Sequence, residues 1–255
     1  MDRIDAAFAR KRVFEAAFLA MLAGPAIAQR AERPDVNVGD QWDFVLYYGT
    51  PAARPNRSWI ITSVSSTAVE DTENGEQLLL TPDLNVQNSP RSRESNPNAL
   101  RFPLEVGKRW QYTSDWVFKP LNSNGRLDVD VTVVRHERVI VPAGAYCAFK
   151  LESNGRLSGM AANGSHFAGE ILTTYWYSPA ARAIVKSVSR NPYLGASTVE
   201  LVDVAHGRHR HEPTKSGSNS IHRLLDRGPL IFITLPPRRA ISPEWTCGPV
   251  CGWRE

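Results

Sequence analysis

An alternation of apolar and polar residues with a period of two runs through the chain from about residue 36 to residue 205. It is clearest between Trp110 and Phe118, where the aromatic residues share one parity and polar residues occupy the other. The same pattern recurs at residues 127–133 and 147–151. Because successive side chains of a strand point to opposite faces, these segments predict strands with one buried and one solvated face.

Short turns rich in Pro, Gly and Asn separate the predicted strands, and no amphipathic helix pattern interrupts them. The segments that predict strands are residues 42–48, 57–64, 76–80, 110–118, 127–133, 147–151, 171–177, 182–189 and 197–204. This succession predicts an all-β domain over residues 36–205, built as a strongly curved antiparallel sheet. An open barrel and a sandwich are the two architectures that fit.

One connection differs from the others in length and composition. Residues 81–101 are rich in Pro, Asn, Ser and Arg and show no alternation. Loops of this length are either functional lids or disordered, and the composition favours disorder.

A short motif occurs twice, as VGDQW at residues 38–42 and VGKRW at residues 106–110. In each copy the glycine permits a tight turn, and the tryptophan, Trp42 or Trp110, begins a strand. A structural role at the start of the strand is favoured, and a stacking surface for a ligand is the alternative.

The N-terminus has the pattern of a secretory signal peptide. Four Lys and Arg residues precede an apolar stretch at residues 13–25, and an Ala-x-Ala site ends at Ala28. Residues 1–28 are therefore predicted to be removed on export, which places the protein in the periplasm or outside the cell. The alternative is an amphipathic helix packed on the domain, because Glu15 interrupts the apolar stretch.

Three blocks of the body have a familiar order and spacing. They are residues 102–110 (FPLEVGKRW), residues 137–152 (ERVIVPAGAYCAFKLE), and residues 174–179 (TYWYSP) leading to residues 183–186 (AIVK). On these blocks the chain resembles exported bacterial proteins of the "domain of unknown function 3108"-like type. The resemblance implies a β-rich fold, with a half-open barrel as one form of it, and a location in the cell envelope. It brings no catalytic residues, and Ala181 stands where a glycine is expected to end the hairpin turn.

Motifs for catalysis, phosphate binding or dinucleotide binding do not occur in the sequence. Asp128 and Asp130 share a strand face, for which a solvated outer surface is favoured over a glycosidase or cation site. His136 and His166 are expected on the surface. No catalytic residue, metal site or cofactor is predicted. Whether the protein is an enzyme stays open, with a non-enzymatic role favoured and a carboxylate-dependent hydrolase least favoured.

The run Tyr175-Trp176-Tyr177 gives the best indication of a binding site. Its two tyrosines share one strand face and the tryptophan takes the other, so one set is expected in the core and the other in a pocket. Tyr175 and Tyr177, together with Trp42 and Trp110, are therefore the candidate ligand-binding residues. The leading hypothesis is an exported domain that binds an apolar or amphipathic ligand, such as a lipid, or an envelope protein. A structural or interaction module without a ligand is the alternative.

The alternation stops at Ala205, and residues 206–255 are predicted to form an irregular, disordered or loosely attached tail. Three histidines at its start suggest a metal site, but a flexible basic linker is favoured because Arg208 and Arg210 would repel a cation. Cys247 and Cys251 form a candidate disulfide, whereas Cys147, on an apolar strand face, is expected to be a buried free thiol.

The charge distribution follows the same division. The 255 residues carry a net charge of +4, but residues 29–205 carry −1 and residues 206–255 carry +4. The basicity therefore belongs to the predicted tail, and no nucleic-acid partner is predicted for the domain. With 42% hydrophobic residues and no long uncharged apolar run, the chain can build a core but predicts no membrane-spanning helix.

Overall fold

The computed structural model describes residues 29–48 and 57–207. These residues form fourteen strands and a single 3₁₀ turn at Lys119–Leu121. The strands are β1 (Arg30–Ala31), β2 (Gln41–Tyr48), β3 (Arg57–Val64), β4 (Val69–Glu73), β5 (Glu76–Leu80), β6 (Val86–Asn88), β7 (Ser92–Glu94), β8 (Leu104–Glu105), β9 (Arg109–Phe118), β10 (Ser123–Val141), β11 (Gly144–Met160), β12 (His166–Ser178), β13 (Ala183–Asn191) and β14 (Gly195–Ala205). The all-β prediction is confirmed. The described residues contain no helix that is long and apolar enough to cross a membrane.

Twelve strands form a closed antiparallel barrel, in the order β10-β11-β12-β13-β14-β2-β3-β4-β5-β6-β7-β9. The prediction of an open or half barrel is wrong, and so is the sandwich alternative. Two long-range pairings complete the ring: β14 pairs with β2, with Val199 opposite Leu46, and β7 pairs with β9, with Glu94 opposite Trp116. Strands β1 and β8 form a separate two-stranded sheet.

The barrel closes through the segment that was expected to be disordered. Residues 81–101 contribute β6 and β7, which join β5 to β9. The turn between the two strands is held by serines: the Ser89 N–H donates to the Ser92 carbonyl at 2.7 Å, and the Ser92 N–H donates to Ser89 Oγ at 2.9 Å. Strands of three residues are too short to show an alternating pattern, which is why the sequence did not reveal them.

The two ends of the barrel are built differently. We call the end with the turns at residues 119–122, 161–165 and 192–194 the open end, and the end with the turns at residues 142–143 and 179–182 the closed end. At the closed end, the chain between β7 and β9 packs onto the inner face of the barrel. Leu100 and Leu104 are buried there among residues of β9 to β12, which include Trp110, Val131, Phe149, Leu151 and Tyr177.

Two hydrogen bonds hold this segment, which we call the plug (residues 97–104), in place. Asn85 Nδ2 donates to the Leu100 carbonyl at 2.9 Å, and the Leu100 N–H donates to Asn85 Oδ1 at 2.7 Å. Leu100 retains only 1% of its surface. The plug therefore fills the closed end with apolar side chains, and Asn85 satisfies the backbone of its buried Leu100.

The repeated VGxxW motif forms the same turn twice. Gly39 and Gly107 both have positive φ, at 88° and 91°, which favours glycine. The Gly39 N–H donates to the Ile61 carbonyl and the Gly107 N–H to the Val133 carbonyl, each at 2.8 Å. In both copies the tryptophan then enters the core, and its indole N–H donates to a backbone carbonyl: Trp42 to Ala181 at 2.8 Å and Trp110 to Asn98 at 2.7 Å.

The hairpin between β12 and β13 accommodates Ala181 without a glycine. The left-handed conformation falls on the next residue, Arg182, with φ of 55°, while Ala181 is fully buried and accepts the Trp42 hydrogen bond. Arg182 Nη1 pairs with the buried carboxylate of Asp40 at 3.0 Å. The ion pair fixes the conformation of Arg182 and compensates the buried charge.

Candidate ligand-binding cavity

The inner face of the barrel encloses a cavity of about 260 Å³ between the plug and the middle of the strands. The plug residues Pro97, Ala99 and Leu100 form its floor. Its walls are mostly apolar, with a few polar groups: Trp42, Phe44, Arg57, Trp59, Leu80, Leu84, Asn85, Val86, Glu94, Tyr112, Tyr175, Ala183, Ile184, Ser187 and Val199. We call this space the inner cavity.

A larger cavity of about 570 Å³ lies at the open end and is lined mainly by aromatic and aliphatic side chains. Those that face it from the strands include Glu94, Trp116, Phe118, Leu127, Leu157, Phe167 and Ile171. The turns at residues 161–165 and 192–194 form its rim, where Tyr193 and Leu194 are exposed. We call this space the mouth cavity. Its volume and lining fall in the range typical of sites for small molecules.

Glu94 lines both cavities, and we call its position between them the junction. It is the last residue of β7 and lies opposite Trp116 of β9. The hydroxyl of Ser114 lies near enough to its carboxylate to affect its pKa. Burial raises the pKa of Glu94 above its ordinary value, and the hydrogen bond from Ser114 opposes that shift. Among the described residues, no cationic side chain forms an ion pair with Glu94.

Two tyrosines of the inner cavity lie close enough to Glu94 to feel its charge. Burial raises the pKa of Tyr175 to about 12, and the negative charge of Glu94 adds to the shift. Burial also raises the pKa of Tyr112, with smaller contributions from Tyr175 and Glu94. Both phenols therefore stay protonated at neutral pH and can donate hydrogen bonds inside the lumen.

Two tryptophans of the cavity walls keep unused hydrogen-bond donors. Trp59 lines the inner cavity and Trp116 lines the mouth cavity. The indole N–H of each is buried and has no acceptor among the described residues. Trp42 and Trp110 differ from them, because both of their indoles donate to backbone carbonyls.

The four predicted ligand-binding residues are placed differently from one another. Tyr175 and Trp42 line the inner cavity, whereas Tyr177 is 1% exposed and packs edge-to-face on Phe102, with ring centroids 5.0 Å apart. Trp110 is buried beside the plug and lines neither the inner nor the mouth cavity. The run of three aromatics therefore supplies a single cavity residue.

Trp176, between those two tyrosines, faces the outside of the barrel. Its indole N–H donates to Glu137 Oε1 at 2.7 Å, and the ammonium groups of Lys150 and Lys186 each lie 5.9 Å from the ring centroid. This placement agrees with the opposite faces that the strand pattern predicts.

Asp128 and Asp130 lie on the outer face of the barrel, as the sequence favours. Thr113 Oγ1 donates to Asp128 Oδ1 at 2.6 Å, and Gln111 Nε2 donates to Asp130 Oδ1. The Thr113 hydroxyl is the largest cause of the lowered pKa of Asp128. Both carboxylates are thus engaged by side chains of the neighbouring strand. Within residues 29–48 and 57–207, no group of three or more His, Cys, Asp and Glu side chains could hold a metal ion.

Cys147 is disulfide-bonded, so the prediction of a free thiol there is wrong. That prediction rested on the apolar face of its own strand, and spacing along a sequence does not reveal which thiols meet in space. The candidate pair Cys247 and Cys251 lies outside the described residues, as do the predicted signal peptide and nearly all of the predicted tail.

The structure also brings in residues that sequence reasoning did not select. Tyr112 and Trp116 lie on the inner face of β9, where their parity with Trp110 could have pointed to them. Glu94 had no such signal, because its strand shows no alternation. His136 was expected on the surface but is half-buried against the Phe149 ring, and burial lowers its pKa.

Comparisons with known proteins return similarity to solved structures alone. No family model matches the chain, and no curated protein matches it. A protein of Bacteroides fragilis, proposed to be exported and to have a YmcC-like fold, is 16% identical with a TM-score of 0.44, over 69% of this chain and 99% of that one. A proposed lipoprotein of Parabacteroides distasonis is 14% identical with a TM-score of 0.44 over the same shares of the two chains.

The hypothetical lipoprotein YmcC of Escherichia coli is 11% identical with a TM-score of 0.38, over 80% of this chain and 98% of that one. At identities and TM-scores this low, no inference about function rests on the similarity. The resemblance to the "domain of unknown function 3108"-like type stays a prediction.

Proposed function

We propose that this protein is exported and that its barrel binds a small amphipathic molecule through the open end. One observation carries the proposal: Glu94 lines both the mouth cavity and the inner cavity, so that a buried carboxyl group borders two largely apolar spaces inside the barrel. Sites for small molecules combine apolar walls with a few fixed polar groups in this way.

The polar groups of the lumen suit the binding of a ligand. Glu94 and the phenols of Tyr112 and Tyr175 can orient a polar head group, while the aromatic and aliphatic walls of the mouth cavity accept an apolar chain. The role we propose is therefore uptake or carriage of the molecule without a change in its covalent bonds.

The sequence of residues 1–28 and the disulfide at Cys147 both support export. The first has the organisation of a signal peptide, and the second is a bond that forms and persists in oxidising compartments. N-terminal sequencing of protein purified from the envelope tests this part of the proposal. A mature N-terminus near residue 29 is expected, and an intact Met1 would contradict it.

Binding is tested with N-phenyl-naphthylamine, a neutral apolar dye whose fluorescence rises in apolar surroundings. We expect the full chain to bind it and Ile171→Trp to weaken binding about ten-fold, because the larger side chain takes up part of the mouth cavity. Leu172→Trp is the matched control, since Leu172 neighbours Ile171 on the same strand but is 45% exposed on the outer face.

Equal dye binding by the wild type and Ile171→Trp would show that the lumen is not the site. A module without a ligand, whose lumen serves only to support the walls, would then be the better description. Native mass spectrometry of the envelope-purified protein gives an independent result, because a co-purifying small molecule is expected only if the lumen is occupied in the cell.

A further inference from the structure

We propose that Glu94 binds a positively charged head group, so that the lumen selects amphipathic ammonium compounds over neutral or anionic ones. This inference rests on the proposed function and adds the chemical class of the ligand. It follows from the aromatic residues near Glu94 and from the lack of a cationic partner for its carboxylate among the described residues.

Aromatic residues are neighbours of Glu94 across the sheet and in the lumen. Trp116 lies directly opposite Glu94 in the pairing of β7 with β9, and Tyr112 precedes Trp116 on the same inner face. Tyr175 approaches from β12 and interacts electrostatically with Glu94. A carboxylate with aromatic residues near it suits organic ammonium ions, because the negative charge and the electron-rich rings both attract a cation.

No cationic side chain of residues 29–48 and 57–207 forms an ion pair at this position. Arg57 lines the inner cavity, but its Nε atom pairs with Glu73 Oε1 at 3.2 Å. His166 lines the mouth cavity and is exposed at the rim. Among the described residues, Ser114 is the one side chain whose hydrogen bonding lowers the pKa of Glu94. A carboxylate has acceptor capacity for several donors, so Glu94 can accept more.

Burial makes it unfavourable for the Glu94 carboxylate to leave hydrogen-bond acceptors unused, unless a ligand supplies the donors. An ionised carboxylate in an apolar cavity loses its hydration, and burial raises the pKa of Glu94 accordingly. An ammonium group would restore the charged form through a charge-assisted hydrogen bond. A carboxylate or phosphate on the ligand would instead place two negative groups together and is disfavoured.

The two cavities set the orientation of the bound molecule. The ammonium group lies at the junction beside Glu94, and the apolar chain extends through the mouth cavity, which has about twice the volume of the inner cavity. Leu127, Leu157 and Ile171 contact the chain in this arrangement. A single chain is therefore held by its apolar length and selected by its charged end.

The experiment compares three probes with the same alkyl chain: dodecylammonium, dodecanol and dodecanoate. Each displaces N-phenyl-naphthylamine from the full-length protein, and its affinity is measured from the loss of fluorescence. We expect dodecylammonium to bind about ten-fold more tightly than dodecanol, and dodecanoate to bind most weakly.

Glu94→Gln keeps the size and hydrogen-bonding capacity of the side chain but removes its charge. We expect it to lose the preference for dodecylammonium over dodecanol, with each affinity measured relative to the variant's own affinity for the dye. Glu170→Gln is the control, because Glu170 is exposed on the outer face of β12, and it is expected to keep the preference.

Each outcome separates this inference from the proposed function. Equal affinity of the wild type for all three probes, or an unchanged preference in Glu94→Gln, would overturn the ammonium inference while leaving a ligand-binding lumen in place. Failure of the wild type to bind the dye would refute the proposed function itself. If Glu94→Gln does not fold, the comparison of the three probes on the wild type still decides the inference.

Discussion

The closed and open ends of the barrel use the same kinds of residue in opposite ways. At the closed end, the indoles of Trp42 and Trp110 are buried, and each donates a hydrogen bond to a backbone carbonyl. Toward the open end, Trp116 is on the same strand and face as Trp110, but its buried indole N–H has no acceptor among the described residues. One tryptophan completes a packed core, and the other borders a cavity.

The difference arises from the plug. Residues 97–104 supply both the apolar side chains that fill the closed end and the carbonyl that Trp110 needs. No corresponding segment among the described residues fills the open end, so its aromatic side chains line a space instead of a core. The same inward-facing pattern of a strand thus builds stability at one end and a candidate site at the other.

The largest loss of stability is expected from shortening a buried side chain of the plug. Leu100→Ala should lower the free energy of unfolding by about 2 to 5 kcal/mol, because a fully buried leucine leaves a cavity that neighbours fill only partly. Ile171→Ala at the open end should cost only about 1 kcal/mol, since its side chain is half-buried beside existing space. Urea denaturation measures both, and equal losses would remove the distinction between the ends.

The second prediction concerns Asp71, a buried carboxyl that lies opposite Ile61 and Leu78 on the packed side of the wall. Burial is the main cause that raises its pKa from 3.8 to about 6, and Glu73 adds a smaller contribution. The folded state therefore holds the proton more tightly than the unfolded chain. The stabilisation that protonated Asp71 contributes is complete below about pH 4 and is lost as the pH rises through about 6.

Asp71→Asn should abolish this dependence, which amounts to about 2 to 3 kcal/mol between the two limits. Unfolding by urea across this pH range measures it, and Glu70→Gln, on the exposed face of the same strand, is the control. A wild-type stability that does not fall relative to Asp71→Asn as the pH rises would contradict the prediction.

The smallest change in stability is expected from substituting Trp110 or Trp116. Trp110→Phe removes the donor to the Asn98 carbonyl and should cost about 1 to 2 kcal/mol. Trp116→Phe removes an N–H without a partner and should change stability by less than about 1 kcal/mol. Thermal or urea unfolding compares them, and a larger cost for Trp116→Phe would mean that its indole is already engaged.

The alternating pattern predicts the long strands well because their inner and outer faces differ strongly in polarity. It does not predict β4, whose inward positions include Asp71 and Glu73, so that buried and exposed faces look alike in the sequence. It also does not predict β6 and β7, which are three residues long. Those short strands decide whether the sheet stays open or closes, and so the curvature was predictable and the closure was not.

The candidate site was predictable to a similar extent. Tyr175 reaches the lumen because strand parity places it there, and the same parity would have identified Tyr112 and Trp116. Tyr177 has the same parity as Tyr175 but is covered by Phe102 of the plug. Glu94 acquires its position only through the pairing of β7 with β9, a contact that local sequence does not encode.

The pairing of β14 with β2 also has a consequence for how the protein forms. Leu46 and Val199 lie side by side in the finished barrel although most of the described chain separates them in sequence. A ring joined by its first and last strands has a high contact order, and such topologies fold slowly. If the chain crosses a membrane N-terminus first, the edges of β2 and β14 stay unpaired until nearly all of it has emerged. During that interval the two edges are open to pairing with other chains, a hazard that a strand order closing locally would avoid.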